Sequence, residues 1–195
     1  GCCYTRVTGI WQTVWLECVP KDHIERVRFY PNADNGKVGV FIKVEGTGTI
    51  SARVSFNGME MANRSDYILA SEEIFMEIPL KEKYLWEAGK GRLYDVELCF
   101  GEDRVKSYFG LRSIRFDGFK FLLNGKSVFQ RLVLDQGYYP DGIYTAPSIA
   151  ALENDINIAT AAGFNGARLH QKVFEPRFLY YADKHGYMVW GEYGD

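Results

Sequence analysis

Cysteine is scarce: four of 195 residues (Cys2, Cys3, Cys18 and Cys99), none in a C-x-x-C or zinc-ligand spacing. That excludes a zinc module and gives no disulfide framework. Cys2 and Cys3 are adjacent and poorly placed to bridge each other, so the thiols read as reduced. An excess of charge is also missing, with 23 Lys+Arg against 25 Asp+Glu, a formal net charge of -2 and a pI near 6.0. No basic footprint for nucleic acid or an anionic membrane surface results. No apolar run approaches the roughly 20 residues that a membrane span needs. Gly1 to Thr5 carries neither a charged n-region nor an apolar h-region, so no signal peptide is visible. With the true N-terminus expected to be missing, cytoplasm and periplasm or exterior both stay open.

What is present is ordinary globular composition, 47% hydrophobic and 25% charged, in a length that holds one large or two small domains. Between Pro20 and Arg112 the text alternates in polarity: VRFYP, KVGVFIKVEG, TISARVSFNG, EEIFMEIPL, LYDVELCF and DRVKSYFGL. Turn signals separate these runs, and Asn35-Gly36 and Asn57-Gly58 have the chemistry of tight hairpins. About seven short strands at that spacing predict an antiparallel sandwich. Trp86 has two readings, a core or interdomain aromatic and a sugar-stacking platform. Ahead of this region, residues 1–19 alternate around Trp11, Val14, Trp15 and Leu16 like a single edge strand.

Beyond Ser127 the period changes. Val128 to Leu134 is apolar enough for a buried strand, and Pro147 and Ser148 open a helix with Ile149, Leu152, Ile156 and Ala159 on one side. Gly163 ends it. Gly166 to His170 forms the next strand, Pro176 starts a second helix, Gly186 stops it, and Tyr187 to Trp190 is a third strand. Two strand-helix units with short connections predict parallel crossovers. Residues just past the carboxyl ends of parallel strands converge where ligands bind. The candidate site is therefore Asp135, Gln136, Tyr138 and Tyr139 after the first strand, Arg168, His170 and Gln171 after the second, and Glu192 after the third. Asp135 either accepts hydrogen bonds from a ligand or pairs with Arg168 on the adjacent strand. A guanidinium in such a place costs several kcal/mol unless paired. Three strands and two helices leave faces and edges bare, so the chain reads as a piece of a longer protein that self-associates when isolated.

The runs TGIWQTVWLE, LYDVELCFGEDRVKSYFGLRSI, FLLNGKSVFQRLVLDQGYYPDGIYTAPS and NGARLHQKVFEPRFLYYADKHGYMVWGE resemble, in that order, glycoside hydrolase family 2, which holds β-galactosidases, β-glucuronidases and β-mannosidases. The resemblance implies a mixed multidomain protein. Residues 1–19 would be the last strand of a sugar-binding jelly roll, 20–112 an immunoglobulin-like β-sandwich, and 113–195 the first three strands of a (β/α)8 TIM barrel. The 113–127 hairpin would then close the barrel's bottom with Phe116, Phe119 and Phe121.

The implied function is a retaining hydrolase of terminal β-linked sugars, β-galactosidase-like, acting on an oligosaccharide or β-glycoside. No cofactor is required. In the family, an arginine at the position of Arg168 braces the catalytic carboxylates, and in some members a glutamate matching Glu192 binds Mg2+. Family members place their catalytic glutamates on the fourth and seventh strands. The resemblance therefore implies no catalytic residue in this chain, which would be inactive alone. Gln171 stands where the best-known β-galactosidases carry a histidine. Two alternatives remain open: a non-catalytic sandwich that binds carbohydrate or another protein, and a barrel with different chemistry.

Overall fold

A computed structural model of the protein describes residues 6–194. Cys2 and Cys3 fall outside that range, and Cys18 and Cys99 are free thiols. The described residues divide into two compact units, one of residues 17–87 and 92–128, the other of residues 6–16, 88–91 and 129–194.

The first unit holds seven long strands: β1 (His23–Asn32), β2 (Lys37–Glu45), β3 (Gly48–Phe56), β4 (Met59–Ile68), β5 (Glu72–Pro79), β6 (Leu93–Phe100) and β7 (Asp103–Gly110). They form two antiparallel sheets, ordered β1-β2-β5 and β4-β3-β6-β7. Alternation along each strand decides which side chains are enclosed. Val38, Val40, Ile42 and Val44 of β2, Ile50, Ala52 and Val54 of β3, and Val96, Leu98 and Phe100 of β6 share one core. A period of two puts every second residue on one face, and burying both inner faces together makes the sandwich. At Asn57-Gly58 both residues have positive φ, 49° and 80°, as a two-residue hairpin turn requires.

Trp86 is buried at 2% exposure beneath the Arg112 guanidinium, 4.6 Å from its ring centroid. It is a core aromatic and offers no stacking platform. Tyr94 is wholly enclosed; its hydroxyl donates to Glu82 O (2.8 Å) and accepts from Tyr84 N (2.6 Å). This pins the connection between β5 and β6 to the start of β6. Tyr94→Phe leaves a carbonyl and an amide without their partner, so we expect it to cost about 2 kcal/mol. The denaturant midpoint should fall by that equivalent, whereas Tyr67→Phe on the exposed face of β4 should leave it within about 0.5 kcal/mol.

Three short strands complete the unit: β8 (Ile114–Asp117), β9 (Lys120–Leu123) and β10 (Lys126–Ser127). By its contacts this hairpin groups with the sandwich strands. Asn124 Nδ2 donates to Trp86 O and its Oδ1 accepts from Ser113 N, both at 2.9 Å, while Arg115 pairs with Asp34 at 2.5 Å. Phe116 and Phe119 are exposed, and Phe116 stands edge-on to Phe121 at 5.7 Å.

The second unit carries β11 (Leu132–Asp135), α1 (Ile149–Ala161), β12 (Gly166–Leu169), α2 (Pro176–His185) and β13 (Met188–Gly191). All three strands run parallel in the order β11-β12-β13. β11 begins four residues later than its apolar run suggests. Side-chain bonds replace the ladder there: Asn165 Oδ1 accepts from Arg131 N and Asn165 Nδ2 donates to Phe129 O. Ser148 caps α1 through its hydroxyl to Ala151 N, and Gly186 ends α2 in the left-handed region, φ 70°. Leu152 and Ile156 of α1 and Phe178 and Ala182 of α2 cover Ala167 and Leu169 of β12.

Residues 6–22 form no strand. Alternation alone does not make one, because a strand exists by pairing its backbone. Trp11 and Gln12 dock instead by side chain and carbonyl, while Val14, Trp15 and Leu16 remain exposed.

Candidate functional site

The register of the parallel sheet sorts the candidate residues into two groups. Arg168 lies level with Leu134 and Trp190, whereas Asp135 lies level with Leu169 and Gly191. Side chains alternate between faces, so Arg168, Leu134 and Trp190 share one face and Asp135 takes the other, the helix-covered face of Leu169. The exposure agrees: Leu134 is 52% exposed and Trp190 47%, while Leu169 is buried.

Arg168 therefore pairs with Glu192 rather than Asp135. Glu192 lies just beyond β13, on the parity of Trp190. Its Oε1 accepts from Arg168 Nε at 2.5 Å and its Oε2 from Gln171 N at 3.1 Å. These two donors, the Gln171 amide first and the Arg168 guanidinium after it, hold the Glu192 carboxyl below its usual pKa. Gln171 sits at φ 51°, which aims its amide at the carboxylate. His170 N donates to Asp135 O at 2.8 Å, tying the ends of β11 and β12. His170 Nδ1 is buried and has no hydrogen-bond partner among the described residues.

On the other face, Asp135 Oδ1 accepts from Gly137 N at 2.8 Å. Burial raises its pKa, and Asp155 on α1 raises it further. Tyr139 donates its hydroxyl to Asp155 Oδ2 at 2.6 Å, so its oxygen is committed to α1. Tyr138 is partly exposed, edge-on to Tyr144 at 5.3 Å. Gln136 is half-buried in the same loop. Arg168, Gln171 and Glu192 thus meet directly. Asp135 and Tyr139 belong to a separate cluster turned toward α1.

Sequence reasoning missed Lys172. It is 5% exposed, with Nζ donating to Gly137 O (2.7 Å) and Tyr144 O (2.9 Å). The faces of Trp11, Tyr144 and Phe174 lie 4.5, 4.3 and 5.0 Å from it. A lysine straight after a strand end, followed by Val173 and Phe174, was the available signal. Burial pushes its pKa down to about 8, against the pull of Glu175 and Asp135.

An unfolded lysine titrates near 10.4. Between roughly pH 8 and 10 the unfolded chain then binds more protons than the folded one, so stability rises with pH. We expect roughly 1 to 3 kcal/mol of gain across that window, absent in Lys172→Met, read as the difference between the two denaturation curves. Above about pH 10 the buried tyrosines reverse the trend, because their pKa values are raised: Tyr187, for one, is pushed up to about 12 by burial.

Mg2+ is held by several oxygen ligands, of which Glu192 could supply one carboxylate. Both its oxygens accept from protein donors, and the described residues contain no group of three His, Cys, Asp or Glu that could hold a metal ion.

Residues 22–112 match the model of the family described as Glycosyl hydrolases family 2. No curated protein matches the chain. Among solved structures, the β-glucuronidase of Faecalibacterium prausnitzii is similar at 26% identity and a TM-score of 0.75, over 87% of this chain and 28% of that one. The Lactobacillus rhamnosus β-glucuronidase matches at 15% identity and TM-score 0.76, over 90% and 30%. The Ruminococcus gnavus β-glucuronidase in complex with uronic isofagomine matches at 16% identity and TM-score 0.73, over 88% and 28%. At those identities the last two show likeness of fold. The chain spans less than a third of the length of the structures it matches.

Proposed function

We propose, from the premise that residues 22–112 are a domain of glycosyl hydrolases family 2, that the chain is part of a retaining β-glycosidase and supplies one wall of its sugar pocket. The sandwich acts as an immunoglobulin-like spacer. Strands β11–β13 open a (β/α)8 barrel whose inward face carries Leu134, Arg168 and Trp190.

The supporting observation is the Arg168–Glu192–Gln171 arrangement. A charged, hydrogen-bonded cluster stands at the carboxyl ends of parallel strands, on the face the helices leave open. Arg168 holds the Glu192 carboxylate in place, and Tyr138, partly exposed, offers an aromatic ring to a pyranose. Asp135, Gln136 and Tyr139 shape the rim from behind.

For the sugar, the similar structures are β-glucuronidases, which favours a β-glucuronide over a β-galactoside. Retention needs two carboxyls about 5 to 5.5 Å apart. Glu192 is engaged by its donors and Asp135 faces the helices, so this chain alone is expected to be inactive. The test is hydrolysis of a panel of nitrophenyl β-glycosides by the whole gene product and by the 195-residue chain. The expected result is turnover by the former, fastest on the glucuronide, and none by the latter. No turnover by either, or turnover by the 195-residue chain, refutes the reading.

A further inference from the structure

Among the described residues, Lys172 is the only buried charged side chain. Its two hydrogen bonds go to the two ends of one loop: Gly137 and Tyr144 flank the hairpin-like segment between β11 and α1. Inside that segment Tyr139 and Ile143 exchange two backbone bonds, at 2.8 and 3.0 Å. Ile143 has φ 55°, a left-handed conformation that a β-branched residue adopts only when its surroundings impose it.

An ammonium has three donors and no acceptor. Two are spent on the loop carbonyls, and the charge faces the Trp11 ring. Trp11 is fixed in turn, its carbonyl accepting from Thr145 Oγ1 at 3.0 Å and its ring standing edge-on to Tyr144 at 4.8 Å. Next to it, Gln12 Nε2 donates to Val173 O at 3.1 Å. Tyr144 in turn packs on Tyr138. Gly137, at φ 62°, leaves no room to spare: a Cβ there would lie 2.7 Å from Lys172 Nζ.

We propose that Lys172 is a positioning residue that gathers the two ends of the 137–144 loop and the face of Trp11 on one ammonium, so that the N-terminal segment and the loop become ordered together and Tyr138 is presented to a sugar. The last clause rests on the reading of Tyr138 as a sugar contact; the ordering does not.

The test is amide hydrogen exchange of the 195-residue chain at fixed pH, followed at Tyr139 and Ile143, with β3 amides as the reference. Lys172→Met should speed exchange at those two amides about thirtyfold and Trp11→Ala about tenfold, leaving β3 unchanged. The double variant should be no faster than Lys172→Met alone, because each acts through the other; independent contacts would multiply. Exchange within threefold of the parent in Lys172→Met, or multiplicative effects in the double variant, overturns the proposal. Should Lys172→Met fail to fold, Trp11→Ala decides: unchanged exchange at Tyr139 and Ile143 refutes the coupling.

No glycoside enters this measurement, so it stands or falls apart from the glycosidase reading. For the sugar clause, Lys172→Met in the active whole gene product should raise KM about tenfold with kcat within threefold. An unchanged KM alongside faster exchange overturns that clause alone.

Discussion

Gly166→Ala should abolish the parallel sheet. A Cβ at Gly166 would lie 2.1 Å from Met188 O and 2.7 Å from Leu132 Cδ2, on the two strands that flank β12. Met188 O belongs to the backbone of β13 and cannot step aside without breaking the ladder. Conformation is not the obstacle, since Gly166 is not among the positive-φ glycines; space alone forbids the methyl. Over-packing a core costs about 1 to 3 kcal/mol where side chains can yield. Against backbone we expect more than about 4 kcal/mol, in the range reserved for broken architecture. Hydrogen exchange should show residues 166–169 and 188–191 losing protection while β2, β3 and β6 keep theirs. Parent-like protection of residues 166–169 in the alanine variant would contradict the packing described.

Arg168→Met should divide two quantities that usually move together. The pair with Glu192 is largely solvated, with side-chain exposures of 52% and 28%, so losing it should change stability by no more than about 1 kcal/mol. In the whole gene product the same change should lower kcat/KM by roughly two to three orders of magnitude. The reason is position: Glu192 then keeps only the Gln171 amide, and a misplacement near 1 Å in a site can cost about 10²-fold. Kinetics and a denaturant curve on one preparation check both halves. A small kinetic loss with a large stability loss would make Arg168 a structural residue.

How far such features can be read from sequence depends on their range. The start and end of α2 were legible because Pro176 and Gly186 act locally on the backbone. The sandwich strands were legible because their burial repeats every second residue. Tyr94 was not, since its partners, Glu82 and Tyr84, lie across a connection whose path no local pattern sets.

The partner of Arg168 shows a different limit. Proximity along neighbouring strand ends left Asp135 eligible, but the choice was made by register, because one residue of parity moves a side chain to the opposite face. Glu192 has the right parity and Asp135 the wrong one. Lys172 escaped notice because a lysine in a loop is ordinarily solvated; only the meeting of Trp11, Gly137, Tyr144 and Phe174, up to 163 residues apart in sequence, makes it buried. Residues 1–19 misled in the other direction, since their alternation says strand while the described part, residues 6–19, lies in no strand.

The most direct test is a crystal structure of the whole gene product with a thio-linked β-glucuronide that resists hydrolysis. We expect a pyranose ring at the carboxyl ends of β11, β12 and β13, on the face of Arg168 and Trp190. A sugar seated on the sandwich, or on the helix-covered face of the parallel sheet, would contradict it.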